Sequence, residues 1–173
     1  MRVAVVALLL VGLLGLALAT LRGGHPAVAG LPGFDVSRWR LGHFGLGLTV
    51  WVGALVAAVS WQILPMFYLA PVVPPRAQGA VAGAAAGSLV AAVCVLALGA
   101  PRWTMLVALV PAAAAAWVAH PILVLPRLRA RQRKRRDETV LAWTAALLCG
   151  PGVALLAIAA ALSTDPRPGV ACV

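Results

Sequence analysis

Few side chains in this sequence could do chemistry, and the clearest is a histidine at the start of an apolar run. One helical face carries His43 and, below it, small or apolar residues at Gly47, Val50, Ala54, Ala57 and Trp61. Positions three or four apart share such a face. Small residues below an imidazole leave room for a flat macrocycle whose iron the imidazole would bind. His43 is therefore a candidate haem or metal ligand, and the alternative is an interfacial histidine that bonds water or backbone.

Two other histidines can be related to His43 by position. His25 lies in the polar segment before the run and could approach His43 from above, which makes the pair a candidate metal site. His120 directly precedes Pro121, and proline disfavours helical conformation for the residue before it, so the helix is expected to end there. His43 and His120 differ in depth by about 20 Å at about 1.5 Å per residue. They cannot bind the same iron.

Aromatic residues gather at the end of the same run. Gln62 and Met66 are four residues apart, among Trp61, Phe67 and Tyr68. This pattern is typical of an aromatic belt with a snorkelling amide at the membrane interface. The alternative is a site for a quinone-like or other flat ligand.

Several catalytic classes are excluded by what the apolar runs lack. They contain no carboxylate, which excludes an intramembrane proton-relay carboxylate, a paired-carboxylate hydrolase and an HExxH metalloprotease. The sequence has neither a Walker loop nor a nucleophile elbow. Cys94, Cys149 and Cys172 are far apart, so we expect packing residues and no disulfide between the first two. Enzymatic activity of the chain on its own is not expected.

The elements that must position these side chains are apolar runs of membrane-spanning length. Of 173 residues, 63% are hydrophobic and 10% are charged, and the mean hydropathy is +1.01. This composition excludes a soluble enzyme, a disordered chain and a disulfide scaffold. About 20 apolar residues cross the hydrocarbon layer, and five runs are long enough: 3–21, 41–69, 79–100, 104–125 and 139–162. The sequence predicts an all-α bundle of five transmembrane helices in a single domain over 1–173.

Basic residues predict the orientation of this bundle. Fourteen Lys and Arg stand against four Asp and Glu, and half of the fourteen lie in the loop 126–138, at Arg127, Arg129, Arg131, Arg133, Lys134, Arg135 and Arg136. Such a cluster marks a cytoplasmic loop, so the N-terminus is expected inside and the C-terminus outside, in the inner membrane of a bacterium. A lipid-binding patch is the alternative. Nucleic-acid binding is not expected, because no aromatic residue interleaves the cluster.

The first apolar run fits two interpretations. Arg2 followed by an apolar stretch and Ala17-Leu18-Ala19 resembles a signal peptide cleaved before Thr20. The stretch is longer than the usual apolar region of such a peptide, so we favour a retained helix.

Small residues indicate where helices pack. The third run carries Gly79, Gly83 and Gly87, a double GxxxG motif that predicts close helix–helix contact and a homo-oligomer or membrane complex through this face. Pro111 predicts a kink in the fourth run. Gly150-Pro151-Gly152 predicts a bend that faces the bundle, or else the substrate-facing break of a permease. The second run also has a face of small residues: Gly42, Gly45, Thr49, Gly53 and Ser60.

One segment carries a family resemblance. It reads Arg40-Leu41-Gly42-His43-Phe44-Gly45, then Trp51-Val52-Gly53, then Trp61-Gln62-Ile63-Leu64-Pro65-Met66-Phe67, with Asp137-Glu138-Thr139 and Trp143 after the basic loop. These motifs resemble uncharacterised bacterial membrane proteins related to haem–copper oxidase subunit I and to the NnrS nitric-oxide-response family. The resemblance implies a polytopic protein linked to respiration or nitrogen-oxide stress, with haem or a metal at His43. Members of these families have more helices than the five predicted here. The resemblance therefore implies that the sequence is the first part of a longer protein or a truncated reading frame.

Three functions therefore stay open from the sequence. The first is the protein that the resemblance implies. The second is a permease-like transporter that uses the break at Gly150-Pro151-Gly152. The third is a non-catalytic structural or assembly subunit that packs through Gly79, Gly83 and Gly87.

Overall fold

The described part of the chain is a bundle of helices. The computed structural model describes residues 2–23, 34–133 and 138–163. Within them every regular element is helical, and five helices follow in order: α1 Arg2–Arg22, α2 Val36–Tyr68, α3 Pro75–Ala97, α4 Arg102–Arg129 and α5 Glu138–Ser163. The prediction of an all-helical protein is confirmed.

Four of these helices, α1 to α4, are long and apolar enough to cross a membrane. Helix α5 has 26 residues, and its crossing of the membrane stays a prediction. The expected orientation, with the N-terminus inside and the C-terminus outside, also stays a prediction.

Helix α2 begins at Val36, before the apolar run that starts at Leu41, because Asp35 caps it. The Asp35 carboxylate accepts hydrogen bonds from the backbone N–H groups of Ser37 and Arg38, at 2.8 and 3.4 Å. Such a cap satisfies N–H groups that have no partner inside the helix. Hydropathy gives no sign of this polar first turn, so the sequence placed the start of the helix too late.

Helices α3 and α4 also differ from the predicted runs. Helix α3 begins at Pro75 rather than Gly79, because proline has no N–H to lose and its φ suits the first turn. Helix α4 continues past Leu125 to Arg129. The first residues of the predicted basic loop are therefore helical.

Two helices contain π-helical segments, Leu46–Val52 in α2 and Ala115–Ala119 in α4. In α2 the Thr49 hydroxyl donates to the Gly45 carbonyl at 2.7 Å. In an α-helix the N–H of Thr49 would bond this carbonyl, so the side chain competes with the backbone. In α4 the segment follows Pro111, the site of the predicted kink. The helix continues through this proline with its hydrogen-bond pattern altered beyond it.

Helices α2 and α4 run parallel and pack through the small-residue face of α2. A Cβ on Gly42 would lie 3.4 Å from the Met105 side chain, and a Cβ on Gly53 would lie 2.5 Å from the Cβ of Ala116. The residue numbers rise together along both helices, as expected for alternate helices of an up-and-down bundle. Larger residues on α2 would push the two helices apart.

Helix α1 belongs to the same core. Its residues Ala7, Val11 and Leu14 are buried and pack in one cluster with Leu46 and Val50 of α2. Three- and four-residue spacing puts the buried side chains on one face. The opposite face of α1 is exposed.

Candidate functional site

A buried polar pair joins α2 to α4 in the bundle. Ser60 is 0% exposed and His120 is 1% exposed, and the Ser60 Oγ lies 2.7 Å from the His120 Nε2. The hydroxyl also donates to the Ala57 carbonyl at 2.8 Å. Since a hydroxyl has only one proton to donate, the Nε2–H of His120 donates to Ser60. The pair satisfies its own polar groups, as a structural contact between helices requires.

The space beside this pair is small. A cavity of about 10 Å³ is lined by residues that include Ser60, Trp61 and Val124. The Trp61 Nε1 is buried without a hydrogen-bond partner. About one water fits such a volume, so this part of the bundle has no room for a solute.

Prolines do not end helix α4, contrary to the expectation for His120 and Pro121. The helix continues through both to Arg129. Next to Pro111, the backbone N–H of Ala112 donates to the Ser88 Oγ of α3 at 3.0 Å. A neighbouring helix thus bonds a backbone group where proline interrupts the hydrogen-bond pattern.

His43 contacts helix α1. Its Nδ1 lies 3.0 Å from the Val11 carbonyl, and a Cβ on Gly15 would lie 2.9 Å from its Cε1. The ring therefore lies directly against the backbone of α1, and a larger residue at position 15 would displace it. Because a carbonyl can only accept, Nδ1 carries the proton and Nε2 holds the lone pair.

Among the described residues, the helical face below His43 is packed against its neighbours and leaves no groove there. Val50 and Ala57 are buried, and a Cβ on Gly47 would lie 3.7 Å from the Val11 side chain. Other parts of the bundle occupy the space that the small residues leave. The described neighbours of His43 do not fit a macrocycle, and haem binding stays a prediction from the sequence.

The predicted metal pair cannot be assembled from the described part of the chain. His25 lies outside the described residues. Among the residues that are described, no group of three or more His, Cys, Asp and Glu side chains could hold a metal ion. Cys94 and Cys149 are exposed and free, so neither packs inside the described bundle as the sequence led us to expect, whereas Cys172 lies outside the described residues.

The glycines of α3 face away from the rest of the described chain. Gly79, Gly83 and Gly87 are exposed, and a Cβ on any of them would have no neighbouring atom within 4 Å. The GxxxG motif therefore makes no helix contact among residues 2–23, 34–133 and 138–163. A contact with a second chain stays a prediction.

The Gly150-Pro151-Gly152 segment lies within helix α5, which continues through it. Gly150 is buried, and a Cβ there would lie 3.0 Å from the Trp117 ring of α4. Gly152 is exposed, with nothing within 4 Å of a Cβ. Gly150 thus serves close packing against α4.

The basic segment docks onto the connection after α2. The backbone N–H groups of Gln132 and Arg133 donate to the carbonyls of Leu69 and Tyr68, both at 3.4 Å. Leu69 itself has a left-handed conformation, with φ 50°. We call this end of the bundle, residues 68–76 with 126–133, the basic end.

The basic residues predicted to set topology divide between helix and loop. Arg127 and Arg129 lie in the last turn of α4, and Arg131 and Arg133 follow it, whereas Lys134, Arg135 and Arg136 lie outside the described residues. The Arg127 guanidinium donates to the carbonyls of Val72 and Leu123, and that of Arg131 donates to Leu128 at 2.8 Å. Arginine on a last helical turn is favoured by the helix dipole.

The predicted aromatic cluster at the end of α2 is divided in the structure. Gln62 and Met66 are exposed, whereas the Trp61 ring lies 6.1 Å from that of His120. Phe67 and Tyr68 instead line a cleft of about 420 Å³, together with Ile63, Arg133, Thr139 and Trp143. The sequence identified two members of this cleft but not those that α5 contributes.

The opposite end of the bundle is held by Asp35 and Arg38. Burial alone would raise the pKa of Asp35, but hydrogen bonds from Ser37 and Arg38 and the Arg38 charge outweigh it and leave the pKa below its usual value. Arg38 is 4% exposed, and its guanidinium donates to the Ala100 carbonyl at 2.6 Å. This bond ties α2 to the turn between α3 and α4, where Gly99 has φ 62°.

Comparison of the chain with protein-family models, with curated proteins and with solved structures finds no match. The resemblance to haem–copper oxidase subunit I and to the NnrS family is thus carried by the sequence motifs alone.

Proposed function

We propose that this chain is a non-catalytic membrane subunit that assembles with a second copy of itself, or with a larger membrane complex, through the exposed glycines of α3. We call the face formed by Gly79, Gly83 and Gly87 the glycine face. The observation that carries the proposal is the full exposure of a double GxxxG motif on a helix long and apolar enough to cross a membrane.

The outward faces of α1 and α3 differ in composition. Helix α1 exposes large apolar side chains, at Val5, Leu9, Leu13 and Leu16. The first turns of α3 instead expose glycine and alanine. Lipid tails are as apolar as leucine, so helices in a bilayer associate through close backbone approach rather than through burial alone. Of the two faces, the face of α3 has the small residues that are typical of contacts between membrane helices.

The interior of the bundle favours a structural role over transport or catalysis. The hydroxyl of Ser60 is hydrogen-bonded to His120, and that of Ser88 to the backbone N–H of Ala112. The hydroxyl of Thr49 donates to the Gly45 carbonyl. A substrate path needs polar groups that are free to bind a solute. The Ser60 and Ser88 hydroxyls join neighbouring helices, and the Thr49 hydroxyl is engaged within α2.

The proposal keeps the membrane and orientation that the basic residues predict. The basic end would lie in the cytoplasm of a bacterium, with the N-terminus also inside. The bonds from Gln132 and Arg133 to Leu69 and Tyr68 support it, because they bring the α2–α3 connection and the basic segment to one end of the bundle. Cysteine labelling from the two sides of the membrane tests the orientation.

The test of assembly is energy transfer between donor- and acceptor-labelled chains in liposomes. Gly83→Leu should abolish the transfer, because a leucine prevents backbone approach at the glycine face. Gly12→Leu is the matched control, since Gly12 is also exposed, with nothing within 4 Å of a Cβ, but on α1. Equal transfer in Gly83→Leu and wild type would contradict self-assembly through the glycine face, as would equal losses in the two variants.

A second proposal retains His43 as a metal ligand, because the Val11 carbonyl holds the tautomer that leaves the Nε2 lone pair available. Ligating histidines commonly donate their other N–H to a carbonyl in this way. His25 would be the accessory ligand. Metal analysis and absorption spectra of purified wild type and His43→Ala test the proposal, with Gln62→Ala, at an exposed position of the same helix, as the control. A colourless, metal-free protein from cells supplied with haem and metals would contradict it.

A further inference from the structure

The cleft at the basic end is lined by an arginine together with apolar and aromatic side chains. It measures about 420 Å³ and lies between the end of α2 and the start of α5, lined by Ile63, Phe67, Tyr68, Arg133, Thr139 and Trp143. Phe67 is 53% exposed, and Trp143 is half-buried. The cleft is therefore open at the surface and has an aromatic lining.

Its polar residues lie at the ends of the helices, whereas part of its apolar lining lies deeper in the bundle. Arg133 lies beyond the end of α4, and Thr139 is in the first turn of α5. Ile63 and Trp143 lie further along their helices, each about 7 Å from the nearer helix end at about 1.5 Å per residue. A ligand that matches this order has an anionic polar head and an apolar body.

The charge around the cleft favours an anion over a neutral ligand. The described part of the basic segment carries four arginines at this end of the bundle: Arg127, Arg129, Arg131 and Arg133. Arg127 and Arg131 donate to backbone carbonyls, and the backbone bond from Arg133 to Tyr68 fixes Arg133 at the cleft. Its exposed side chain can reach a phosphate there, as arginine commonly does.

We propose that this cleft binds an anionic phospholipid, with the headgroup phosphate at Arg133 and Thr139 and an acyl chain against Phe67 and Trp143. Basic pockets between membrane helices bind such headgroups. The site does not depend on assembly through the glycine face, so either proposal can fail without the other.

The test uses tryptophan quenching by lipids with brominated acyl chains. Purified protein in mixed micelles is titrated with brominated phosphatidylglycerol and, separately, with brominated phosphatidylcholine. Wild type should be quenched by phosphatidylglycerol at roughly tenfold lower mole fraction, a ratio equivalent to about 1.4 kcal/mol. Trp143→Phe should lose this selective component, because the acyl chain contacts that ring.

A pair of charge-matched variants separates a specific site from general attraction to the basic end. Arg133→Gln and Arg129→Gln each remove one exposed charge from the same segment. The first should lose the roughly tenfold selectivity, whereas the second should keep it within about twofold. Arg133→Lys should keep part of it. Far-UV circular dichroism and gel filtration establish that each variant is folded.

Four results would overturn the proposal. Equal quenching by the two lipids would show no headgroup recognition. Equal losses in Arg133→Gln and Arg129→Gln would show surface attraction only. Reversal of the quenching by millimolar glycerol phosphate would identify a site for a free phosphate. Displacement of the lipid by a quinone, to the same extent in wild type and Arg133→Gln, would identify a site for a flat neutral ligand.

Discussion

Replacing Gly53 with alanine tests the parallel contact between α2 and α4. The new Cβ would lie 2.5 Å from the Cβ of Ala116, whereas unstrained carbon atoms lie about 3.5–4.0 Å apart. The helices must therefore separate by about 1 Å, and overpacking of this kind costs about 1–3 kcal/mol. Alanine returns up to about 1 kcal/mol through its helix propensity. Together these two effects span a net change of about 0–3 kcal/mol, and we expect a loss near the middle of this range, of about 1–2 kcal/mol.

The assay is unfolding in mixed micelles with increasing dodecyl sulfate, followed by far-UV circular dichroism. Removing the opposing methyl group with Ala116→Gly should return the stability of Gly53→Ala to within about 0.5 kcal/mol of the single Ala116→Gly variant. Gly12→Ala is the control, because a Cβ at Gly12 has no neighbour within 4 Å. The reasoning fails if Gly53→Ala is as stable as wild type, or if Ala116→Gly gives no rescue.

Three further changes have expected outcomes in the same assay. Ser60→Ala leaves the Nε2 of His120 without its partner and should cost about 1–3 kcal/mol. Asp35→Ala removes the helix cap and should cost about 0.5–2 kcal/mol. Because the pKa of Asp35 is lowered by folding, its contribution is complete above the usual value of 3.8 and is lost as the pH falls through the lower folded pKa, so Asp35→Ala should flatten the stability profile in that acidic window. Gly150→Val should cost about 1–3 kcal/mol through its contact with Trp117.

Each of these changes has a matched control. Thr139 is exposed in the first turn of α5, so Thr139→Ala should change the stability far less than Ser60→Ala does. Asp35→Ser retains a capping side chain and should restore most of the stability while abolishing the acid dependence. Gly152→Val should be tolerated, because a Cβ there meets nothing within 4 Å. A variant pair with equal losses would contradict the role given to its buried or capping member.

The length of the apolar runs predicted the helices well, because the thickness of the hydrocarbon layer sets how many apolar residues a membrane-spanning helix needs. The same criterion missed polar helix ends. Val36–Trp39 is helical because Asp35 caps it, and Arg127 and Arg129 belong to α4. Hydropathy carries no information about such hydrogen bonds.

Helix pairing could be predicted only in part. The small residues Gly42 and Gly53 indicated a contact face on α2, but not that α4 would occupy it. The sequence placed Ser60 on that face and singled out His120 in α4, but it did not predict their contact, because 60 residues separate them. The periodicity of a helix shows which residues share a face but not which helix packs against that face. The same limit applies to the glycines of α3, which predict close approach by a helix that the described chain does not supply.

The most direct test of assembly through the glycine face is cysteine cross-linking across it. In a variant without native cysteines, Val90→Cys on α3 and Leu13→Cys on α1 place single thiols at positions that are 63% and 65% exposed. Val90 lies along the same face as Gly83 and Gly87, so oxidation in native membranes should give a cross-linked dimer with Val90→Cys and none with Leu13→Cys. Absence of the Val90→Cys dimer, or equal yields at the two positions, would contradict self-assembly through the glycine face.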